Sequence, residues 1–355
     1  MEIFGEDSRC NQMMTNIPPL SLGGHSVNLL DNLLMISASS VTNDGWWYYR
    51  LKDPRSGLLA NPWKQTKTLG KDAPSRHVSF VYEKDLVFLG GERGTQGTLQ
   101  NGREEHGEWK ALGLTLRKDG SNFDSFPLDA CVVRVKRDIF YVMGGRETST
   151  NQIISNVFEI NMKEQKVQEV VSMMYPRAQH ACAIIPGSGS FSDINFSSTL
   201  ILVTGGTLDS SKDEIFDKTM DNSRMLDTMN IPRHNHRLVT LGKKLFALGG
   251  QTDQDFSQTN VIEVFDPNSE SWSLHTSSLL SNSTDDLAVT ELPHFAVSCN
   301  KGCQCGVKSD ARIIGGVEAE VVSFKIIGYC DNLLSGNGSS MDGSFADGWR
   351  RKTDI

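Results

Sequence analysis

Four times along this sequence a short apolar run ends in a pair of glycines. The copies are Leu86-Val87-Phe88-Leu89-Gly90-Gly91, Ile139-Phe140-Tyr141-Val142-Met143-Gly144-Gly145, Leu200-Ile201-Leu202-Val203-Thr204-Gly205-Gly206 and Leu245-Phe246-Ala247-Leu248-Gly249-Gly250. Their first glycines lie 54, 61 and 44 residues apart. A degenerate fifth copy, Leu33-Leu34-Met35-Ile36-Ser37-Ala38, closes with two small residues instead. Each run is the length of a strand, and a missing Cβ at its end lets backbones approach and adopt unusual dihedrals. A recurrence every ~50 residues marks a repeat architecture that spreads one core along the chain. The 355 residues then need not divide into two or three separate domains.

Upstream of each run lies a second strand-like segment. Ser75-Arg76-His77-Val78, Pro176-Arg177-Ala178-Gln179-His180-Ala181 and Pro232-Arg233-His234-Asn235-His236-Arg237 introduce three of them, and Gly24-His25-Ser26-Val27 and Leu128-Asp129-Ala130-Cys131 take the same place in weaker copies. Turn-like pairs such as Lys136-Arg137-Asp138 and Gly242-Lys243-Lys244 join segment to run, so each unit opens with a hairpin. Downstream comes an alternating strand, a turn and a tryptophan, clearest in Asn260-Val261-Ile262-Glu263-Val264-Phe265-Asp266-Pro267 through Trp272. Each unit offers four short antiparallel strands and no convincing helix.

Over residues 1–295 the chain resembles the kelch-repeat family. The resemblance rests on the Gly-Gly strands, the Pro-Arg-x-x-His openings at residues 176 and 232, and the Val264-Phe265-Asp266-Pro267 strand with Trp272. It implies an all-β fold, a kelch-type β-propeller. Six blades are expected, five full and one closed by both termini: Glu2-Ile3-Phe4 resembles an outer strand, and Asp285 to Leu292 reads as its inner partner. Pairing first and last strands removes open sheet edges. Arg177, His180, Arg233 and His236 recur in one register and are expected to tie loop to blade.

Residues 296–320 form a Cys-rich linker with a second resemblance. Cys303-Gln304-Cys305 and Arg312-Ile313-Ile314-Gly315-Gly316 look like the activation junction of a trypsin-like serine protease zymogen, with cleavage expected at Arg312-Ile313. The family's catalytic histidine, aspartate and serine motifs are absent, and 39 residues after Gly316 cannot build the protease fold. Residues 321–355, rich in Gly, Ser, Asn and Asp, are expected to be irregular or disordered. Cys299, Cys303, Cys305 and Cys330 suggest disulfides; a zinc site fits poorly, since Cys303 and Cys305 stand only one residue apart. Asn195, Asn282 and Asn337 head glycosylation sequons.

Other chemistry is outweighed by structural roles. His234 and His236, with His180 and His77, suggest a metal pair on one rim, but recurrence within the motif favours scaffold. Cys131 and Cys182 hold matching positions and are expected to be buried free thiols. Trp46-Trp47-Tyr48-Tyr49 is expected to be core rather than a binding stripe. No phosphate-cradling loop is present, and neither cofactor nor metal is expected. A net charge of −8 without a basic run argues against nucleic acid and anionic membranes, and no apolar stretch is long enough to span a bilayer.

The expected function is a non-catalytic binding module, extracellular although no signal peptide opens the sequence, that recognises a protein or glycan through its loops. Gly94–Glu108, Gly187–Ser198 and Leu208–Arg224 are the candidate contact loops. One alternative is a truncated or alternatively spliced secreted protease zymogen with the propeller as regulatory propeptide. The other is a cytosolic kelch adaptor.

Overall fold

The computed structural model describes residues 2–4, 26–30, 33–38, 45–50, 64–65, 76–92, 97–102, 108–123, 125–187, 199–218, 222–241, 244–253, 257–275, 285–292, 311–318 and 321–328. Among them every regular element is a strand. The chain opens with β1 (Glu2–Phe4). The first sheet holds β2 (Ser26–Leu30), β3 (Leu33–Ala38), β4 (Gly45–Arg50) and β5 (Lys64–Gln65). The second holds β6 (Val78–Tyr82), β7 (Asp85–Leu89), β8 (Gly97–Gly102) and β9 (Glu108–Gly113).

A small hairpin, β10 (Leu116–Lys118) and β11 (Ser121–Phe123), precedes the third sheet and joins its outer edge. That sheet holds β12 (Cys131–Lys136), β13 (Ile139–Met143), β14 (Val157–Asn161) and β15 (Lys166–Val170), with β10 running parallel to β15. The fourth is β16 (Ala181–Ile184), β17 (Leu200–Thr204), β18 (Asp213–Asp217) and β19 (Asn222–Leu226). In the fifth, a short β20 (Arg233–His234) precedes β21 (Arg237–Leu241) and β22 (Lys244–Leu248). β23 (Gln251–Thr252) pairs back to β20, and β24 (Glu263–Asp266) and β25 (Ser271–Leu274) complete the sheet.

The last sheet contains β26 (Asp285–Leu292), β27 (Ala311–Glu318) and β28 (Val321–Gly328), with β1 along β28. First strands of successive sheets neighbour one another in the order β2, β6, β12, β16, β21, β26, and β26 lies against β2 again. Sheets meeting side by side around such a ring form a propeller-like arrangement.

Period-two alternation explains how one sheet feeds two cores. On β13, Phe140 and Val142 pack toward the second sheet against Phe80, Val87 and Leu89. Tyr141 and Met143, on the opposite face, pack toward the fourth sheet against Ile201, Val203 and Phe216. Ile215, Leu202, Leu245 and Phe265 repeat the arrangement between fourth and fifth sheets. Each side chain of this size contributes about 1.5–3 kcal/mol by leaving water. The apolar runs before the glycine pairs are continuous because both faces of the second strand are covered.

Residues 311–318 and 321–328 are paired strands, so sheet structure is found past residue 295. Arg312-Ile313 lies inside β27, with Arg312 opposite Glu291 and Ile327 and Ile313 opposite Thr290 and Ile326. The physical reason is that Arg312-Ile313-Ile314-Gly315-Gly316 is itself an apolar run ending in a glycine pair. It occupies the second strand of its sheet, as the other such runs do.

Candidate functional site

The residue two positions before each of four first strands adopts the left-handed conformation: Arg76 (φ 56°), Asp129 (53°), Gln179 (57°) and Asn235 (56°). Asparagine and aspartate tolerate this region, whereas arginine and glutamine take it only where surroundings enforce it. The enforcement is a backbone relay from sheet to sheet. The Asp129 amide donates to the Arg76 carbonyl at 3.3 Å, Gln179 to Asp129 at 2.9 Å, and Asn235 to Gln179 at 2.8 Å. The four side chains thus stand around one end of the ring. Arg76 Nε donates to Asp129 Oδ1 at 2.9 Å, its Nη2 pairs with Asp129 Oδ2, and Glu92 lies 3.6 Å away. Hydrogen bonding to Asp129 raises the Arg76 pKa further.

Below this rim the glycine pairs receive the incoming loops. All eight of Gly90, Gly91, Gly144, Gly145, Gly205, Gly206, Gly249 and Gly250 have positive φ. At Gly205 a Cβ would come within 2.1 Å of the Arg233 carbonyl oxygen, so no other residue fits. The next amide, of Gly206, donates to that carbonyl at 3.2 Å, and Gly145 donates likewise to Arg177 at 2.8 Å.

Two buried arginines repeat one scheme. Arg177 Nη1 donates to the carbonyls of Gly205 (2.9 Å) and Lys212 (2.6 Å), and Nη2 to Glu214 Oε1 (2.9 Å). Arg233 Nη1 donates to Gly249 (3.0 Å) and Val261 (2.8 Å), and Nη2 to Glu263 Oε1 (2.6 Å). Each glutamate also accepts amides from the preceding loop, Met174 for Glu214 and Asn230 and Ile231 for Glu263. Neither guanidinium nor carboxylate reaches solvent. These are ties between loop, glycine pair and third strand.

The histidines separate by role. His180 and His236 are fully buried, each with its ring over a glycine, Gly144 and Gly205 respectively. His236 Nε2 hydrogen-bonds Thr204 Oγ1 at 2.7 Å. Burial holds both imidazoles well below their ordinary pKa, so they are neutral. His234 turns instead to Gln251 and Asp253, each at 3.2 Å, and so does not form a pair with His236. Among the described residues no cluster of three His, Cys, Asp or Glu side chains is arranged to hold a metal. Asp213 accepts from the Gly205 and Met229 amides, both at 3.0 Å, while burial pushes its pKa up to about 7.

A Kelch motif spans residues 232–274. That span is the loop carrying Arg233 and His236, the Gly249-Gly250 strand, and β24 and β25, where Trp272 stacks on Phe265 with centroids 5.2 Å apart. No curated protein matches the chain. The scheme of this kelch unit recurs residue for residue in the fourth sheet, where Arg177, His180, Gly205, Gly206 and Glu214 take the places of Arg233, His236, Gly249, Gly250 and Glu263.

The candidate contact loops are redrawn. Gly94–Glu108 contains the whole of β8, and Leu208–Arg224 contains β18, which pair with β7 and β17 as third strands of their sheets. Most of Gly187–Ser198 lies outside the described residues, as do Cys299, Cys303, Cys305, Cys330, Asn195, Asn282 and Asn337. Trp46 to Tyr49 lie on β4, with side chains outside the description. In the connection between second and third strands of the fourth kelch-like unit, Leu208 is 71% exposed. Met174, 47% exposed, sits in the connection entering the same unit. Both connections belong to the end that carries the rim.

Cys131 and Cys182 are not free thiols: they form a disulfide between β12 and β16. Each is half-buried at the seam between third and fourth sheets. The rim residues, the acidic partners Asp213, Glu214 and Glu263, and this bond all escape the sequence reading. Glu214 and Glu263 had a usable signal, a glutamate at matching places near the start of a third strand.

Proposed function

We propose that this chain is a non-catalytic protein-binding module, a closed ring of six blades that engages its partner with the end bearing Arg76, Asp129, Gln179 and Asn235. The observation that carries the reading is the rim itself. One hydrogen-bonding side chain from each of the second to fifth sheets is held there by the amide relay, at the same end as the exposed Leu208 and Met174. Rigid polar groups with a few apolar anchors are what protein recognition uses. His180, His236 and Asp213, whose pKa values burial shifts far, are sealed inside the scaffold, which supports binding over catalysis. The Cys131–Cys182 bond supports an oxidising, extracellular setting over a cytosolic adaptor. A propeptide cleaved at Arg312 is less well supported, because that bond runs inside a strand paired on both sides.

A photo-crosslinking residue in place of Leu208, compared with one in place of Glu164 at the opposite end, tests this. Protein adducts formed from position 208 and abolished by Asn235→Ala support the reading. Equal adducts from both positions overturn it, and saturable binding on a glycan array, with no protein adduct, makes the ligand a glycan.

A further inference from the structure

We infer that the Cys131–Cys182 disulfide is a redox-responsive clasp that holds the third and fourth sheets together at the rim. The seam before it, between second and third sheets, is closed at the rim by the Arg76–Asp129 ion pair. At the seam after it, Ser210 hydrogen-bonds Asp253. Between these two, the link is covalent, from the first residue of β12 to the second of β16. The sulfurs lie close in sequence to the relay: Asp129 precedes Cys131 by two residues, Gln179 precedes Cys182 by three, and the Gln179 amide donates to the Asp129 carbonyl at 2.9 Å. Opening the bond therefore acts first on one hydrogen bond of the rim.

Two features make the bond open to exchange. Both cysteines are half-buried rather than sealed in the core, and both lie on first strands, the innermost strands of the ring. A small-molecule thiolate such as that of glutathione attacks one sulfur, forming a mixed disulfide and releasing the other cysteine as thiolate. A second thiol resolves the mixed disulfide, giving two cysteine thiols and one oxidised small-molecule disulfide, a transfer of two electrons and two protons. The reverse exchange with oxidised glutathione recloses the clasp. The apolar seam of Tyr141, Met143, Ile201 and Val203 stays packed, so opening is local. This inference stands whether or not the rim binds a protein.

Amide hydrogen exchange on the intact chain, oxidised, reduced with glutathione and reoxidised, reads the clasp. Reduction should speed exchange at Gln179 about tenfold, leave Asn235 at the next seam unchanged, and reverse on reoxidation. Cys131→Ser should reproduce the reduced pattern without reductant. Equal rates at Gln179 in both states, or acceleration spread equally to Asn235, overturn the inference. So does alkylation of Cys131 and Cys182 in the native, unreduced protein. If Cys131→Ser fails to fold, the reduction cycle on the wild-type chain decides alone.

Discussion

Asp213 and the histidines His180 and His236 pull the pH dependence of stability in opposite directions. The carboxyl is raised to about 7 in the fold against an ordinary 3.8, so the folded state holds a proton there that the unfolded chain releases. That contribution is fully present at low pH and is lost as pH rises between these values. The imidazoles are lowered well below 6.5, so the unfolded chain gains two protons that the fold refuses. Their contribution is present above 6.5 and is lost as pH falls. Below 6.5 the two imidazoles and the one carboxyl therefore oppose each other. Asp213→Asn removes the opposing proton and should steepen the acid loss by about 1.4 kcal/mol per pH unit relative to wild type. Urea denaturation at several pH values checks this, and parallel curves for the two proteins would refute it. At this scale the sequence revealed one partner of each interaction. Arg177 and Arg233 stand in a visible register, whereas Glu214 and Glu263 lie 37 and 30 residues away, brought near by pairing of strands. The rim was invisible because arginine, aspartate, glutamine and asparagine share a conformation and not a side-chain type.

Among the elements, the glycine-pair strand is the one on which neighbouring parts depend. Gly205→Ala would bring a methyl into the Arg233 carbonyl at a left-handed φ of 57° and should cost about 3 kcal/mol or more. Gly187→Ala shares a positive φ but meets nothing within 4 Å, so about 1 kcal/mol is expected. Thermal melts of the two variants separate collision from backbone preference; equal shifts would mean that the close approach carries no weight. Second strands were legible because burial on both faces writes an uninterrupted apolar run followed by two glycines. The β10–β11 hairpin was not, since Leu116-Arg117-Lys118 and Ser121-Asn122-Phe123 are too short and polar to carry a period. In β27 the same glycine-pair signal was present, but the nearby Cys303 and Cys305 drew Arg312-Ile313 into a different reading. The Cys131–Cys182 bond joins residues 51 apart in sequence, and only the order of sheets brings them together.

For the whole molecule, closure falls to the last sheet, built from β26, β27 and β28 with β1 alongside. A chain ending at residue 300 would keep β26 but lose both following strands, leaving a bare edge and stranding β1. It should aggregate, and melt well below the full chain. A soluble monomer with an unchanged melting temperature would show that residues 311–328 add nothing to the ring. The same sheet has a consequence for synthesis. A ribosome delivers β1 more than 300 residues before β28, so β1 waits for its neighbour through the making of the sheets between them. Until then, the sheets at either end of the growing array present an uncovered face to water, and the greatest hazard lies in the interval before β1 meets β28.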